Sequence, residues 1–174
     1  MSQERRRQVP ADHPIRQMFR TLTEMSFEHV ALHDRELIRY VTDLLVEFIH
    51  VDNLFRLRDQ QGRRLEHIVD MVLDLRDQAP ADEREARKHI GDYALFIAGL
   101  YPESLTRRRA VSPEYYIARG KEAYLVVAEM DRTKPTETLF RKLSDQFEYC
   151  VTALNREKVV LEDPFYQYLW RQLV

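Results

Sequence analysis

The sequence predicts an all-α fold, a single-domain bundle of six or seven helices around one central hydrophobic helix. Apolar residues recur at spacings of three and four through most of the 174 residues, which is the period of an amphipathic helix. The β-branched residues lie inside these helical patterns, and two-residue hairpin turns are absent. A chain of this length fits one domain with its own core.

The domain is expected to follow a short basic segment. Residues 1–12 carry Arg5, Arg6 and Arg7 but show no apolar periodicity, so we expect a flexible, solvated tail without a function of its own. The helical domain is therefore predicted to occupy residues 13–174.

The first two predicted helices share a stretch, residues 15–61, that contains neither proline nor glycine. Pro14 suits the first turn of a helix, and a stripe of apolar residues follows it. A single helix from Pro14 to Leu54 would be about 60 Å long, too long for a domain of this size. We therefore predict a break near His33 and Asp34, with Asp34 capping the second helix.

Two further helices are predicted in the middle of the chain. The run "RRLEHIVDMVLDLRDQ" that follows Gly62 indicates the third. The fourth begins near Asp82 and ends at Pro102, and its second half is apolar on all sides, which is typical of a central helix. Gly91 and Gly99 lie in this half, and because each costs about 1 kcal/mol of helix propensity against alanine, we predict that a neighbouring helix approaches closely there.

The last third of the chain predicts three more helices. The fifth starts at Ser112 and the sixth at Pro135. The inner face of the sixth includes Cys150, which we interpret as an inert core thiol. Asp163 then caps the short final segment "PFYQYLWRQLV", which is too aromatic to be left in water. We predict that it docks on the same bundle and that Trp170 is largely buried there.

Composition narrows the class of partner and the compartment. A formal net charge of −2, with 32% charged and 44% hydrophobic residues, indicates a globular chain and gives no basis for a nucleic-acid or anionic-membrane partner. No apolar run reaches the roughly 20 residues that span a bilayer. The start of the chain lacks a secretory signal, and Cys150 is the only cysteine. We expect a cytoplasmic protein whose partner is a protein, either a second copy or another chain.

Four phrases stand out by their order and spacing: "LLVEFIHVDNLFRLRDQQGRRLEHIVDMVL", "RKHIGDYALFIAGLYPESL", "GKEAY" and "LSDQFEYC". They resemble a family of bacterial all-helical hypothetical proteins, over roughly residues 13–155 of this chain. The resemblance implies a cytosolic helical domain. It implies no catalytic residues, because the family has no established activity.

The phrase "EFIH" places Glu47 three residues before His50, a spacing found in di-iron proteins. A ferritin-like centre needs two such pairs and two further glutamates, all pointing inward. This chain has one pair, in which Glu47 lies at the edge of the apolar stripe and His50 toward the polar side. The pattern therefore argues against a di-iron centre.

A second candidate is the pair His29 and His33, which are four residues apart. Two histidines at this spacing on a helix can hold one metal ion. The thermolysin-type motif also needs a glutamate directly after the first histidine, and Val30 stands there instead. Core or capping roles for these histidines are the favoured interpretation, and a metal site is the alternative.

A third candidate joins His50 and Asp52, at the end of the second helix, to His89 and Asp92, in the apolar fourth helix. Buried ionisable groups need partners because an unpaired charge in a core is costly. The favoured interpretation is a structural network between helix ends. The alternative is a polar pocket with a perturbed histidine, as active sites often contain.

These observations predict an interaction or regulatory protein without catalytic activity. The alternative is a metal-binding or metal-dependent helical enzyme, for which the sequence does not identify the cofactor. Its candidate metal ligands are His29, His33, His50, Asp52, His89 and Asp92.

Overall fold

The computed structural model describes residues 8–107 and 111–173. This part of the chain forms ten α-helices, one short 3₁₀ segment and no strand, which confirms the all-α class. The helices are α1 Pro14–His29, α2 Arg35–Phe48, α3 Val51–Leu54, α4 Ile68–Asp74, α5 Pro80–Leu100, α6 Pro102–Arg107, α7 Pro113–Met130, α8 Glu137–Asp145, α9 Phe147–Leu161 and α10 Pro164–Leu173.

The N-terminal caps of the first two helices lie where the sequence predicts them. Pro14 occupies the first turn of α1, and Asp34 accepts hydrogen bonds from the backbone N–H groups of Glu36 and Leu37, at 2.9 and 3.2 Å. The end of α1 comes earlier than predicted, at His29, because Ala31 has a positive φ of 57° and reverses the chain. The second predicted helix is also split, since α2 ends at Phe48 and α3 follows as a separate short turn.

The segment before the predicted tail boundary is partly packed. Val9 lies against the core, and its carbonyl accepts a hydrogen bond from Arg16 Nη2 at 3.3 Å. Val9 is therefore attached to α1 rather than solvated. Arg5, Arg6 and Arg7 lie outside the described residues.

The third predicted helix is wrong at its beginning. Asp59 Oδ1 accepts from the backbone N–H groups of Gln61 and Arg63, both at 2.9 Å, and Gly62 has φ +77°. The backbone N–H of Leu65 then bonds to the carbonyl of Leu57 at 3.0 Å. These hydrogen bonds hold residues 57–65 in a closed loop, and a helix over the same residues could not form them. The helix α4 therefore begins only at Ile68.

The central helix is α5, which packs against α7 on one side and α9 on another. From Ala86 to Leu100 nearly every residue is buried, as predicted. A Cβ built on Gly91 would lie 2.5 Å from the Tyr124 ring, and one on Gly99 would lie 2.6 Å from Leu154 Cβ. The predicted close approach of neighbouring helices at both glycines is therefore confirmed.

The sixth predicted helix is two helices, α8 and α9, separated at Gln146. The backbone there leaves helical geometry, with φ −100° and ψ 12°. The change of direction allows Phe147 to pack on the Tyr124 ring, with centroids 5.9 Å apart. Cys150 is fully buried, as predicted, and burial raises the pKa of its thiol to about 12.

The C-terminal helix α10 docks on α1 and α9. Asp163 caps it as predicted, accepting from the Phe165 backbone N–H at 2.9 Å. Trp170 is partly buried, with its ring edge-on to Phe19 at 5.8 Å, so docking within the monomer is confirmed. None of the described residues of α10 is fully buried, however, and Tyr168 is 60% exposed. The helix is therefore seated less deeply than predicted.

None of the helices in the described ranges combines the length and apolar character required to cross a membrane.

Candidate functional site

The histidines and aspartates proposed as metal ligands lie in different environments. His29 and His33 are exposed near the end of α1, and His50 is partly buried before α3. Asp52 is exposed and pairs with Arg64 at 2.5 Å. Within residues 8–107 and 111–173, no three His, Cys, Asp or Glu side chains lie where they could hold one metal ion.

His89 is buried as a neutral imidazole on α5. Its Nε2 donates a hydrogen bond to the Leu54 carbonyl at 2.9 Å, and its ring packs against Phe48. Burial, together with the charge of Arg56, lowers the pKa of His89 to about 3. Its Nδ1 has no partner among the described atoms. His89 therefore attaches α3 to the central helix and stays uncharged at neutral pH.

Asp92 is a buried carboxylate with a complete set of partners. Tyr40 Oη and Tyr124 Oη donate to Oδ1 at 2.6 and 2.7 Å, and Lys88 Nζ donates to Oδ2 at 2.7 Å. Burial opposes its charge, but Lys88 and the two hydroxyls hold the pKa of Asp92 below its ordinary value. The site joins α2, α5 and α7, so its geometry is that of a structural network. The two tyrosines are the partners that sequence reasoning missed.

Two further buried carboxyl groups join helices. Asp131 receives both Arg84 Nε and Nη2, at 2.8 and 2.6 Å, and hydrogen bonding to Arg84 lowers its pKa. Glu157 has a single partner, Thr23 Oγ1, at 3.2 Å, and burial raises its pKa to about 8. Both carboxyl groups are fully buried, so a solvent-borne substrate cannot reach them without local opening.

An open, apolar site lies instead beside α10. This groove has a volume of about 370 Å³ and is lined by residues of α1, α2, α5, α9 and α10 together with their flanking positions. We call it the α10 groove. Its aromatic walls are Phe19, Phe48, Phe96, Tyr101, Tyr166 and Trp170.

The aromatic side chains of the α10 groove contact one another in series. Phe48 and Phe96 meet edge-to-face with centroids 5.2 Å apart, and Phe96 is 5.6 Å from Tyr101. Such pairs contribute roughly 0.5–1.5 kcal/mol each beyond simple burial. The side of the groove formed by α2 and α5 is therefore well supported. The opposite wall, α10, has no fully buried residue among those described.

The rim of the α10 groove is charged. Lys158 Nζ bonds to Glu103 at 2.5 Å, lies 3.9 Å from Glu162, and sits 6.0 Å above the centre of the Tyr101 ring. Two carboxylates thus surround one ammonium group. The carboxylate of Glu162 is 65% exposed and therefore accessible to a basic group of a ligand.

A larger cleft of about 1110 Å³ separates α1 from α2. Its walls carry four arginines and four carboxylates, and an ion pair between Arg16 and Asp43 crosses it. The exposed His33 also lines this cleft. The positive and negative side chains of the cleft balance each other, and its large apolar lining residues are Leu32 and Ile38. The cleft therefore offers a ligand fewer apolar contacts with aromatic side chains than the α10 groove does.

The α10 groove was not predicted from the sequence. Its walls come from helices far apart along the chain, which periodicity within each helix does not relate to one another. The available signal was the dense aromatic content of "PFYQYLWRQLV", which indicated a docking surface without locating it.

Comparison with known proteins adds no relative: no family model, no curated protein and no solved structure matches the chain. The resemblance to a bacterial helical family therefore stays a prediction.

Proposed function

We propose that the protein is a non-catalytic interaction protein whose α10 groove binds the apolar face of an amphipathic helix from a protein partner. The observation that carries this proposal is the aromatic groove itself, which is open to solvent, whereas the buried carboxylates of Asp92 and Asp131 are engaged in contacts between helices. Its volume of about 370 Å³ lies in the range of ligand sites, roughly 300–1,000 Å³. Two or three large side chains of a helix would fill such a space.

The α10 helix supports a helical ligand over other shapes. Its partly buried residues are Tyr166, Leu169, Trp170 and Leu173, at positions i, i+3, i+4 and i+7. This is the spacing with which helices place anchors in hydrophobic grooves. The groove residues that face α10 thus already pack against side chains presented by a helix. The exposed carboxylate of Glu162 at the rim further favours a helix that carries a basic residue.

The cytoplasm is the compartment we propose for this interaction. The support is the cysteine content, since the only cysteine in the sequence is a buried, unpaired thiol in the core. Proteins of a reducing compartment keep their thiols free and are not stabilised by disulfides, and this chain fits that pattern.

Trp170 is the only tryptophan and lines the groove, so its fluorescence reports on binding. The probe is a tryptophan-free synthetic helix with leucines at i, i+3, i+4 and i+7 and lysines elsewhere. We expect a saturable change in Trp170 emission. In the variant Ile49→Glu, which places a charge in the groove wall, we expect binding at least about tenfold weaker, because an unpaired charge is costly in an apolar site.

The matched control is Val159→Glu, which adds the same charge at a 67% exposed position outside the groove and should leave binding unchanged. Equal loss of binding in both variants, or no response of Trp170 to the peptide, would contradict the proposal. Stoichiometric zinc or iron in purified, untagged protein would instead favour the metal-binding alternative.

A further inference from the structure

The outer side of α10 carries two large aromatic side chains that face solvent. Phe165 and Tyr168 are 61% and 60% exposed, and Arg171 is also exposed one turn beyond Tyr168. We call these three residues the outer face of α10. Tyrosine and arginine are residue types that protein interfaces favour as anchors.

We propose that a second copy of this chain covers it: the outer face of α10 from each copy docks in the α10 groove of the other, around a two-fold axis. The inference rests on the proposed function of the groove and names its partner. Because α10 is both a wall of the groove and the helix that docks, one two-fold axis brings each helix beside the other's groove. Such an isologous contact uses the same patch twice and closes at a dimer.

Charge complementarity supports this occupant. Arg171 is the basic residue of the described α10, whose residues Pro164–Leu173 include no Asp or Glu. At the rim of the groove, the side chain of Glu162 is 65% exposed and 3.9 Å from Lys158. In the dimer, Arg171 of each copy lies against Glu162 of the other. The second copy's α10 is therefore a basic, aromatic helix of the kind the groove favours.

The area available is that of a weak contact. Aromatic side chains bury up to 150–250 Å² each, so the exposed three fifths of Phe165 and Tyr168 from two copies amount to roughly 360–600 Å². With a comparable area from the groove walls, the interface buries roughly 700–1,200 Å², which is below the range of about 1,200–2,000 Å² for stable specific interfaces and within that of weak, transient ones. We therefore expect a weak, concentration-dependent dimer, with a dissociation constant on the order of micromolar.

The test is sedimentation velocity on the full chain over a wide range of concentrations. We expect a monomer to dimer transition. Glu162→Arg alone and Arg171→Glu alone each place like charges opposite one another and should weaken dimerisation at least about tenfold. The double variant E162R/R171E restores opposite charges and should recover most of the affinity. Arg156→Glu, a charge change at an exposed position of α9, is the control and should leave the dimer intact.

A chain that stays monomeric at all concentrations would overturn this inference, as would a dimer that is indifferent to both single variants. The lysine and leucine peptide separates this failure from that of the proposed function. If that peptide binds the monomeric full chain, the groove accepts helices and only the second copy is excluded as its partner. If neither the peptide nor a second copy binds, both proposals fail.

Discussion

Glu157 Oε1 accepts a hydrogen bond from Thr23 Oγ1 at 3.2 Å across the contact between α1 and α9, while its Oε2 has no partner among the described atoms. Burial raises the pKa of Glu157 to about 8, and the hydrogen bond from Thr23 offsets this only in part. The side chain is therefore a neutral carboxylic acid in the folded protein at neutral pH. Loss of this proton would place an unpaired charge in the buried contact between α1 and α9.

The first prediction concerns the pH dependence that follows from this carboxyl group. In the unfolded chain it titrates near its ordinary value of 4.5, so between pH 4.5 and 8 the folded state binds one proton more than the unfolded state. As the pH rises through this window, the free energy of unfolding should therefore fall by up to about 1.4 kcal/mol per pH unit. Glu157→Gln, which mimics the neutral acid, should remove that slope.

Urea unfolding at pH 5, 6, 7 and 8 measures this effect. Glu148→Gln provides the matched control, because this glutamate lies on the same helix but is exposed and pairs with Lys121. If Glu157→Gln and Glu148→Gln leave the same slope as the parent chain, Glu157 is charged in the folded state and the interpretation is wrong.

The second prediction concerns His89, whose titration acts in the opposite direction. Its pKa is about 3 when folded and near 6.5 when unfolded, so the unfolded chain binds the extra proton between these values. The contribution of neutral His89 to the free energy of unfolding is therefore fully present above pH 6.5 and is lost as the pH falls from 6.5 toward 3. His89→Ala should weaken this acid sensitivity and lower stability at pH 7 by roughly 1–3 kcal/mol, because it strands the Leu54 carbonyl. Melting temperatures from pH 4 to 7 would show whether both effects occur.

The third prediction compares two aspartates. Asp92→Ala removes the shared acceptor of Tyr40, Tyr124 and Lys88, so we expect a loss of roughly 3–5 kcal/mol, typical of breaking a buried ion pair. Asp52→Ala removes an exposed partner of Arg64 and should cost less than about 1 kcal/mol. Chemical denaturation of both variants gives the difference. Similar losses for the two would mean that the Asp92 network is not the stabilising contact described above.

Local features of the fold could be predicted because they depend on neighbouring residues. Asp34 and Asp163 are read as caps from their own positions, and both accept the expected backbone hydrogen bonds. The loop at Asp59 also had a local signal in its aspartate and in Gly62, but the helical pattern that follows Gly62 concealed it. Nothing in the apolar spacing marks the break at Gln146, which separates two helices with continuous stripes.

The site could be predicted only in part, because its contacts are distant along the chain. Burial of Asp92 followed from the apolar residues around it, which implied some partner. Tyr40 and Tyr124 lie 52 and 32 residues away from it, and no helical period relates such positions. The α10 groove is the same problem on a larger scale, since it brings Phe19 beside Trp170. Only the packing of whole helices determines these neighbours.

The fourth prediction tests the close packing of the central helix. A Cβ at position 91 would lie 2.5 Å from the Tyr124 ring, which is itself fixed by its bond to Asp92. Gly91→Ala should therefore cost about 1–3 kcal/mol by overpacking, although alanine is the better helix former. Thermal unfolding of the variant decides the matter. A melting temperature equal to or above that of the parent would mean that α5 and α7 separate easily at this point.

The last prediction concerns how firmly α10 is held. Trp170 meets Phe19 edge-to-face at 5.8 Å, whereas Tyr168, on the outer side of the same helix, is 60% exposed. Trp170→Ala should lower the free energy of unfolding by about 0.5–1.5 kcal/mol through loss of the aromatic pair with Phe19. Loss of the other apolar contacts of the indole ring with the core should add to this cost. Tyr168→Ala should change it by less than about 0.5 kcal/mol in the monomer, as is usual for surface positions. Both are measured by denaturation at a concentration where the chain is monomeric. An equal and negligible effect of the two substitutions would show that α10 is detached in solution, and the inner side of the helix would then be as available to partners as its outer face.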